Sequence, residues 1–564
     1  MTSAALLRAP PFPGVDAAIT FAMTDSPPPP IAAPADPAGL FALLREARVG
    51  GRFWLDPAAL ARPAGTIVRP RRIADIAGHR DALSPAERGK AVWIAPASDT
   101  RWGDALARLV AADGGQWCRD VDPWSLLPGA PSLVAHGDDE WVALARIAGV
   151  PVHVLSPGRF GAPDEDGAAL DRRAAAALAA AWRNPFTGDA TTLDAIVDIL
   201  AGWRAMLEAN RTIVAACGMA WWKRDEIRRF LWHPQRPLRI VASPARALRI
   251  ARDAGGAVAI WPSRASPALI ASARAQAVPL VRVEDGFVRS VGLGVDLVPP
   301  SSVVVDHAGI HFDPSGPSDL ELILAGAEIS PKLAARARAL REAIVAAGIS
   351  KYSTGTGTPL HQRPSAAAAS HRLILVPGQV EDDMSVRMGG GGLTSNLELL
   401  RRARALEPDA EIWFRPHPDV DAGHRKGAVP DADILAYADR IVRGGGMASL
   451  LDTVDAVHVL TSLTGFEALM RGREVTCHGT PFYAGWGLTR DLGVIPARRT
   501  RALTLDALVA GVLILYPRYL DPVTGLPCPP EILVGRMASA RTPHRLGWIA
   551  PLRRWQGRLM AMLR

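Results

Sequence analysis

The chain has 564 residues, of which 49% are hydrophobic, and its formal net charge is +8 at pH 7. This apolar content excludes a wholly disordered chain, and the length suits three or four domains of ordinary size. The excess charge comes from arginines spread along the chain, which is typical of a GC-rich genome and also favours anionic partners such as a nucleotide sugar or an acidic membrane surface. Basic residues do not cluster with aromatic ones as nucleic-acid binding requires, so no nucleic-acid partner is expected.

The four cysteines are far apart and form no C-x-x-C pair, which argues against a zinc site or a disulfide framework and favours a reducing compartment. The first ten residues lack the apolar run of a signal peptide. The longest apolar stretch, 507–516, is too short to span a bilayer. We therefore expect a cytoplasmic protein that is either soluble or peripheral at a membrane.

Residues 1–38 are rich in Pro and Ala and predict a disordered leader. Residues 40–205 predict an N-terminal α/β domain that echoes a later part of the chain. In this echo 132–160 and 457–482 both read as strand, polar turn, helix, glycine and strand. We interpret the domain as a degenerate copy of a nucleotide-binding lobe, although chance similarity between two βαβ units is the alternative.

The two copies differ at the polar turn between the strand and the helix. The early copy has Gly137, Asp138 and Asp139 where the later copy has 462–464, which read Ser-Leu-Thr. Hydroxyls are thus replaced by acids, which would repel a phosphate. We therefore expect the N-terminal domain to fold without a nucleotide.

From residue 206 onward, short β-rich runs alternate with helical patterns, which predicts buried parallel sheets. We expect a first lobe at 206–352, a linker at 353–370, a second lobe at 371–540 and a basic amphipathic tail at 541–564. A helix is predicted over 331–347, where proline suits the first turn and glycine follows the end. Strands are predicted over 238–242, 257–261, 279–283, 373–376, 411–414, 456–460 and 474–477. Open α/β sheets bind ligands at the carboxyl ends of their strands, so functional residues are expected there.

One polar motif follows a strand in the first lobe. It reads E-D-G-F-V-R-S-V-G-L-G over 284–294. Glu284 and Asp285 point in different directions, so only one need face a cleft. Arg289 and Ser290 are candidates to hold an anion, and Gly286 would let the backbone turn closely under a ligand.

Three motifs follow strands in the second lobe. In R-P-H-P-D at 415–419, two prolines fix His417 beside Arg415, an arrangement suited to gripping phosphate. In P-G-Q-V-E-D-D at 377–383, Gly378 and Gln379 are candidates to approach the base or phosphate. The three acids at 381–383 could form a metal site or belong to a solvated loop, and the composition of the segment favours the loop.

The third of these motifs, T-S-L-T-G-F-E at 461–467, opens a helix. Ser462 and Thr464 are good N-caps, and capping alone would explain them. The functional alternative is that these hydroxyls and the free N–H groups of the helix start bind a nucleotide phosphate, while Glu467 accepts hydrogen bonds from ribose.

Together with C-H-G-T-P-F-Y-A-G-W-G-L-T at 477–489, these motifs resemble the capsule-synthesis proteins of the KpsC type over roughly residues 205–540. The resemblance implies a GT-B-like fold of two Rossmann-like lobes. It also implies a retaining glycosyltransferase that moves Kdo (3-deoxy-D-manno-oct-2-ulosonic acid) from CMP-β-Kdo to a lipid-linked, poly-Kdo lysophosphatidylglycerol-type acceptor. Partners would be the inner-membrane surface and other capsule assembly proteins.

The same resemblance implies roles for individual residues. Asp285 would be the nucleophile, and His417, Ser462 and Thr464 would hold the CMP phosphate. The chemistry of an acidic sugar adds Arg289 as the partner of its carboxylate. We expect no cofactor and no metal requirement, because Arg, His and helix N–H groups can offset the charge of CMP. Glu284 is the nearest candidate for the acceptor base.

The usual protein of this type carries two transferase modules, whereas E-D-G-F and R-P-H-P each occur once here. We therefore expect a single active module, and the linkage it forms, 2,4 or 2,7, stays open. A sialyltransferase-like CMP-sugar transferase and a non-catalytic partner in capsule assembly or export are the competing hypotheses. The last residues, 552–564, predict an amphipathic helix that either lies on anionic lipid or packs between the lobes.

Overall fold

The computed structural model describes residues 6–14, 37–96, 100–289, 298–350, 353–354, 372–423 and 425–539. The chain forms two compact units. Unit 1 contains Met1–Arg211 and Trp232–Pro237, and unit 2 contains Thr212–Leu231 and Leu238–Arg564. The predicted tail, most of the predicted linker and Ser290 lie outside the described residues.

Unit 1 is built on a five-stranded parallel sheet with the order β3-β2-β1-β4-β5. Its strands are β1 Ile67–Arg69, β2 Val92–Ala95, β3 Gln116–Arg119, β4 Leu133–Ala135 and β5 Val152–Val154, followed by the hairpin β6 Trp182–Arg183 and β7 Ala190–Thr191. Its helices are α1 Ala38–Ala47, α2 Ile76–Asp81, α3 Pro85–Arg88, α4 Thr100–Asp113, α5 Glu140–Ala148, α6 Gly167–Ala176 and α7 Leu193–Asn210.

The first described residues of unit 1 are packed. Leu6 and Leu7 are buried, and the ring of Phe12 lies 5.1 Å from Trp203 and 5.0 Å from Trp232, measured between centroids. The prediction of a disordered leader is therefore wrong for residues 6–14, because their apolar side chains outweigh the effect of the nearby prolines. Residues 15–36, which include the proline run, lie outside the described residues.

Unit 2 contains two larger sheets and a small hairpin, β13-β14. Its strands are β8 Ile213–Cys217, β9 Arg239–Ile240, β10 Ala257–Ile260, β11 Leu280–Asp285, β12 Ser302–Asp306, β13 Ile349–Ser350, β14 Ser353–Thr354, β15 Leu373–Pro377, β16 Glu411–Arg415, β17 Arg440–Ile441, β18 Ala456–Val459, β19 Glu474–Cys477, β20 Arg490–Asp491, β21 Pro517–Leu520 and β22 Pro527–Cys528. Its helices are α8 Arg224–Phe230, α9 Pro244–Asp253, α10 Pro267–Ala275, α11 Asp319–Gly326, α12 Pro331–Ala346, α13 Met384–Gly389, α14 Asn396–Leu406, α15 Pro418–Asp421, α16 Asp431–Leu435, α17 Met447–Thr453, α18 Leu463–Met470, α19 Leu505–Val509 and α20 Pro530–Ala538.

The first sheet of unit 2 has the order β22-β21-β12-β11-β10-β8-β9. Strands β9, β8, β10 and β11 are parallel, as predicted, whereas β12, β21 and β22 are antiparallel to their neighbours. The domain prediction placed 517–528 in the second lobe, but here these residues extend the first sheet. Helix α20 follows them, and its Glu531 pairs with Arg336 of α12 at 2.6 Å.

The second sheet of unit 2 is parallel throughout, with the order β17-β16-β15-β18-β19-β20. Its central strands are nearly continuous runs of buried apolar residues, which is typical of a sheet covered on both faces. In the register, Pro377 pairs with Arg415 and Val459 with Cys477. The carboxyl ends of these strands therefore meet at one edge. The predicted α/β fold of the GT-B type is confirmed, with a second sheet that is parallel throughout and a first sheet that is parallel only over β8–β11.

Candidate functional site

Asp285, at the end of β11, lies between two cations. Its Oδ1 accepts a hydrogen bond from Lys223 Nζ at 2.9 Å, and its Oδ2 accepts one from Arg289 Nε at 2.8 Å. Arg289 is fully buried, and its Nη2 also donates to the Val298 carbonyl at 2.8 Å. The structure thus places Arg289, predicted to hold the sugar carboxylate, on the carboxylate of Asp285.

Lys223 ends the 3₁₀ turn Trp221–Lys223, which follows β8. Its Nζ lies 3.6 Å from the ring centroid of Trp261, the residue that follows β10. Burial lowers the pKa of Lys223, and the negative charges of Asp285 and Glu284 oppose that shift. Sequence reasoning missed this residue, although the adjacent Trp-Trp-Lys at a strand end was a usable signal.

Glu284 and Gly286 flank Asp285 and have different roles. The Glu284 Oε1 accepts a hydrogen bond from the Asp285 N–H at 3.0 Å, so this carboxylate lies against the same strand end. A Cβ at Gly286 would lie 2.1 Å from Ser302 Oγ. Glycine is therefore required by the close approach of β12, and the ligand that the sequence suggested beside this turn remains a prediction.

In the second lobe, Gly378 and Gln379 join two of the predicted motifs. The Gly378 N–H donates to the Arg415 carbonyl at 2.8 Å, and a Cβ at this position would lie 3.0 Å from the Phe414 ring. Gln379 forms two hydrogen bonds with Thr461. The Gln379 Nε2 donates to the Thr461 hydroxyl at 3.0 Å, and the Gln379 Oε1 accepts from the Thr461 backbone N–H at 2.9 Å. The loops after β15, β16 and β18 are therefore in direct contact, as the motif positions predicted.

Arg415 and His417 follow β16. The Arg415 guanidinium donates to the carbonyls of Gly444 and Gly445 at 2.8 and 2.7 Å, and burial lowers its pKa. His417 is the N-cap of α15, and its Nδ1 accepts a hydrogen bond from the Asp419 N–H at 3.1 Å. In the neutral ring, that leaves Nε2 as the nitrogen that carries the proton.

Ser462 is the N-cap of α18. Its Oγ accepts from the Thr464 N–H at 3.2 Å, and the two hydroxyls are 3.0 Å apart. The buried Tyr483 donates its hydroxyl to the Ser462 carbonyl, which fixes the start of the helix from beneath. Glu467 lies one turn further on and is buried. Ser462 thus caps the helix through the Thr464 N–H, and the proposed contact of both hydroxyls with phosphate remains a prediction.

Aromatic contacts bring the motifs of the two lobes together. Phe287, two residues after Asp285, lies 4.7 Å from Phe482 and 6.5 Å from Phe466, measured between ring centroids. Phe466 is on α18, and Phe482 belongs to the loop that follows β19. A buried ion pair adds a second contact, since Arg499 Nε and Glu321 Oε1 are 2.6 Å apart. The end of β11 and the start of α18 are therefore parts of one packed assembly.

The acids of the segment after β15 make separate contacts. Glu381 accepts from the Asn396 N–H, Asp382 pairs with Arg425, and Asp383 caps α13. Across the described ranges, His, Cys, Asp and Glu side chains form no group of three or more that could hold a metal ion. Among the helices that the structure describes, none combines the length and apolarity of a membrane span.

Comparison with known proteins covers the region that contains these motifs. Residues 256–519 match the family described as "Capsule polysaccharide biosynthesis protein". The chain is 41% identical over 343 residues to the capsule polysaccharide modification protein LipA of Neisseria meningitidis serogroup A, a match that covers 61% of this chain and 48% of LipA. It is 47% identical over 244 residues to the lipopolysaccharide-processing protein LpsZ of Rhizobium meliloti, covering 43% of this chain and 54% of LpsZ. The chain thus spans about half the length of the curated relatives it matches.

Two solved structures from Thermosulfurimonas dismutans are also similar. One is described as the β-Kdo 2,7 transferase of KpsC, with 31% identity, 58% of this chain and 99% of that chain covered, and a TM-score of 0.47. The other is described as the β-Kdo 2,4 transferase of KpsC, with 34% identity, 53% and 91% covered, and a TM-score of 0.47.

Proposed function

Because the chain belongs to the capsule polysaccharide biosynthesis family through residues 256–519, we propose that it is a glycosyltransferase that moves Kdo from CMP-β-Kdo, with retention, to a lipid-linked Kdo acceptor. The observation that carries this proposal is the packing of Phe287 on Phe466 and Phe482. This packing joins the strand that ends in Asp285 to the helix that starts at Ser462. This packing supports a proposed site that combines a carboxylate with a helix N-terminus suited to phosphate.

The nucleotide half of the site is proposed at the carboxyl edge of the second sheet. The first N–H groups of α18 and the hydroxyls of Ser462 and Thr464 would meet the CMP phosphate, with the Nε2 proton of His417 beside them. Gln379, held on Thr461, and Glu467 would contact the nucleoside. These donors supply positive potential without a metal ion, so none is required in the proposed reaction.

In the proposed reaction, an Asp285 carboxylate oxygen attacks the anomeric carbon while the bond from that carbon to the CMP phosphate oxygen breaks. CMP leaves with the bonding electron pair, and a glycosyl ester remains. The acceptor hydroxyl then attacks the same carbon, the ester bond breaks, and Asp285 is again a carboxylate. The hydroxyl proton passes to a base, for which Glu284 is the candidate. Two inversions give net retention.

Transfer to a lipid-linked acceptor would take place at the inner-membrane surface, alongside other capsule assembly proteins. LipA, which is named for capsule polysaccharide modification, and LpsZ, which is named for lipopolysaccharide processing, support a surface-polysaccharide role. The single occurrence of E-D-G-F supports one active module.

The test is incubation of the full chain with freshly made CMP-Kdo and a β-Kdo lipid acceptor, followed by mass analysis of the product. We expect a mass increase of one Kdo residue, and NMR of the product then assigns a 2,4 or 2,7 linkage. Transfer from a nine-carbon CMP-sialic acid instead would favour the sialyltransferase-like alternative. Transfer from neither donor, with CMP still bound, would favour a non-catalytic partner in capsule assembly.

A further inference from the structure

Both carboxylate oxygens of Asp285 accept hydrogen bonds from cationic side chains, which come from two different segments. Arg289 comes from the same motif, four residues later, and holds Oδ2. Lys223 comes from the turn after β8, 62 residues earlier in the chain, and holds Oδ1. A carboxylate fixed at both oxygens has little rotational freedom, so these contacts set the direction in which it faces.

Lys223 itself has little freedom to move. Its side chain is 9% exposed, and its ammonium group packs on the indole of Trp261 at 3.6 Å, with Trp222 at 5.0 Å. Cation–π contacts of this kind stabilise an ammonium group that has lost part of its hydration. The ammonium group is therefore held on Asp285 by two rings as well as by its hydrogen bond.

Burying a cation is costly, and a salt bridge that serves stability alone is often matched by apolar side chains. Here the chain buries both Lys223 and Arg289 around one strand end that also carries Glu284. An exposed carboxylate at the edge of the sheet would need neither cation. The arrangement therefore points to a requirement for one fixed, ionised carboxylate.

We propose that Lys223 is a positioning residue of the transferase site, which orients the Asp285 carboxylate and keeps it ionised for attack on the anomeric carbon. This inference rests on the proposed function. Lys223 would make no bond to the reacting carbon, and its effect would pass through Asp285. The Arg289 pair performs the same task from the other side, so loss of Lys223 weakens the grip without removing it.

The experiment compares Lys223→Met, Lys223→Gln and Lys223→Arg in the full chain, with transfer measured across pH. Misplacement of a reacting group by about 1 Å can cost on the order of 100-fold, so we expect kcat to fall by roughly 10- to 100-fold in Met and Gln while KM for CMP-Kdo changes little. The acid limb of the pH profile should move up by about one pH unit or more, because the carboxylate loses a neighbouring cation that favours its charged form. Lys223→Arg should retain most of the wild-type activity, and the acid limb of its pH profile should lie at the wild-type pH.

Lys332→Met is the matched control, since Lys332 is exposed on α12, and it should leave kcat and the profile unchanged. CMP titration and thermal melting show whether each variant is folded. If the Lys223→Met protein is unfolded, the Lys223→Gln and Lys223→Arg proteins still test whether Lys223 positions Asp285. An active wild type with an unchanged kcat and pH profile in folded Lys223→Gln would overturn the inference and leave the proposed function intact. A wild type that transfers no Kdo would overturn both.

Discussion

Two sheets of this molecule have the same strand order and different chemistry at their edges. In β1–β5 of unit 1 and in β15–β19 of unit 2, the first strand is central, the second and third lie on one side, and the fourth and fifth lie on the other. A helix follows the fourth strand in both, α5 with Asp139 as its N-cap and α18 with Ser462. The caps therefore match Asp139 with Ser462, whereas the sequence comparison matched Asp139 with Thr464. The shared order agrees with the predicted internal repeat, which stays a prediction.

The two sheet edges differ in the side chain that caps the helix after the fourth strand. In unit 1, Arg69 at the end of β1 pairs with Asp139 at 2.8 Å and with Asp120 at 3.2 Å. The protein thus places its own carboxylate, neutralised by its own arginine, where a bound phosphate would meet the helix. In unit 2 a hydroxyl stands at that point. One side chain at the N-cap can therefore decide whether such an edge is available to an anion.

The largest effect is expected from Asp285→Ala, which tests whether the chemistry belongs to unit 2. Removal of a nucleophile should lower transfer by on the order of 10⁴-fold or more. CMP binding should survive, because the proposed phosphate contacts come from the second sheet. Radiolabelled transfer and CMP titration measure the two effects. Asp253→Ala, an exposed aspartate on α9, is the control; a fully active Asp285→Ala protein would show the assignment to be wrong.

The next effect comes from giving unit 2 the acidic cap of unit 1. In Ser462→Asp the helix remains capped, since aspartate is as good an N-cap as serine. The added charge should weaken CMP binding by about 10- to 100-fold, or about 1.4–2.7 kcal/mol. Calorimetric titration of CMP measures this. Ser395→Asp places the same change at the cap of α14 and should leave binding unaltered. Equal affinity in both variants would contradict the comparison.

The reciprocal change, Asp139→Ser, should have no effect on CMP binding. Arg69 would still be paired with Asp120, so unit 1 would not gain a site by this change. We expect one CMP per chain in the wild type and in Asp139→Ser, measured as the stoichiometry of the same titration. A second bound CMP in either protein would show that unit 1 takes part in nucleotide binding.

The sequence predicted the second sheet well because its strands are continuous apolar runs and its motifs follow them directly. The predicted 474–477 matches β19, and three other strands of that sheet were predicted to within one residue at each end. The placement of 517–528 in the first sheet was not predicted, because antiparallel pairing between Val303 and Arg518 leaves no local pattern. The contact of Lys223 with Asp285 was missed for the same reason, since 62 residues separate the two.

A smaller effect, on stability, is expected from two histidines of the second sheet, one within β18 and one directly after β19. His458 and His478 are buried, 3.2 Å apart between ring nitrogens, and burial lowers the pKa of each to about 4. The unfolded chain binds their protons near pH 6.5, so their contribution is complete above pH 6.5 and is lost as pH falls towards 4. One such shift is worth about 3 kcal/mol.

Thermal melts between pH 7 and 4 test this expectation. The double variant His458→Leu/His478→Leu should show a flatter dependence of Tm on pH than the wild type. His153→Leu, at an exposed position of unit 1, is the control and should retain the wild-type slope. An unchanged slope in the double variant would mean that other groups govern acid unfolding.

The smallest effect concerns the tail at 541–564, which lies outside the described residues and so outside both sides of the comparison. The proposed lipid-linked acceptor would require the proposed site in unit 2 to reach a bilayer. In a helical conformation, Leu552, Trp555 and Leu559 would share one face flanked by arginines, and Trp with Arg suits an anionic interface. Because the segment is short and contains Gly557, we expect truncation after Gly547 to lower sedimentation with anionic vesicles only a few-fold. Adding 0.5 M salt should remove this difference between the full and truncated chains, because charge screening is then strong. Neutral vesicles are the control, and both proteins should sediment with them equally. A truncated chain that loses its cooperative melt would instead identify the tail as a packing element of unit 2 and contradict the membrane role.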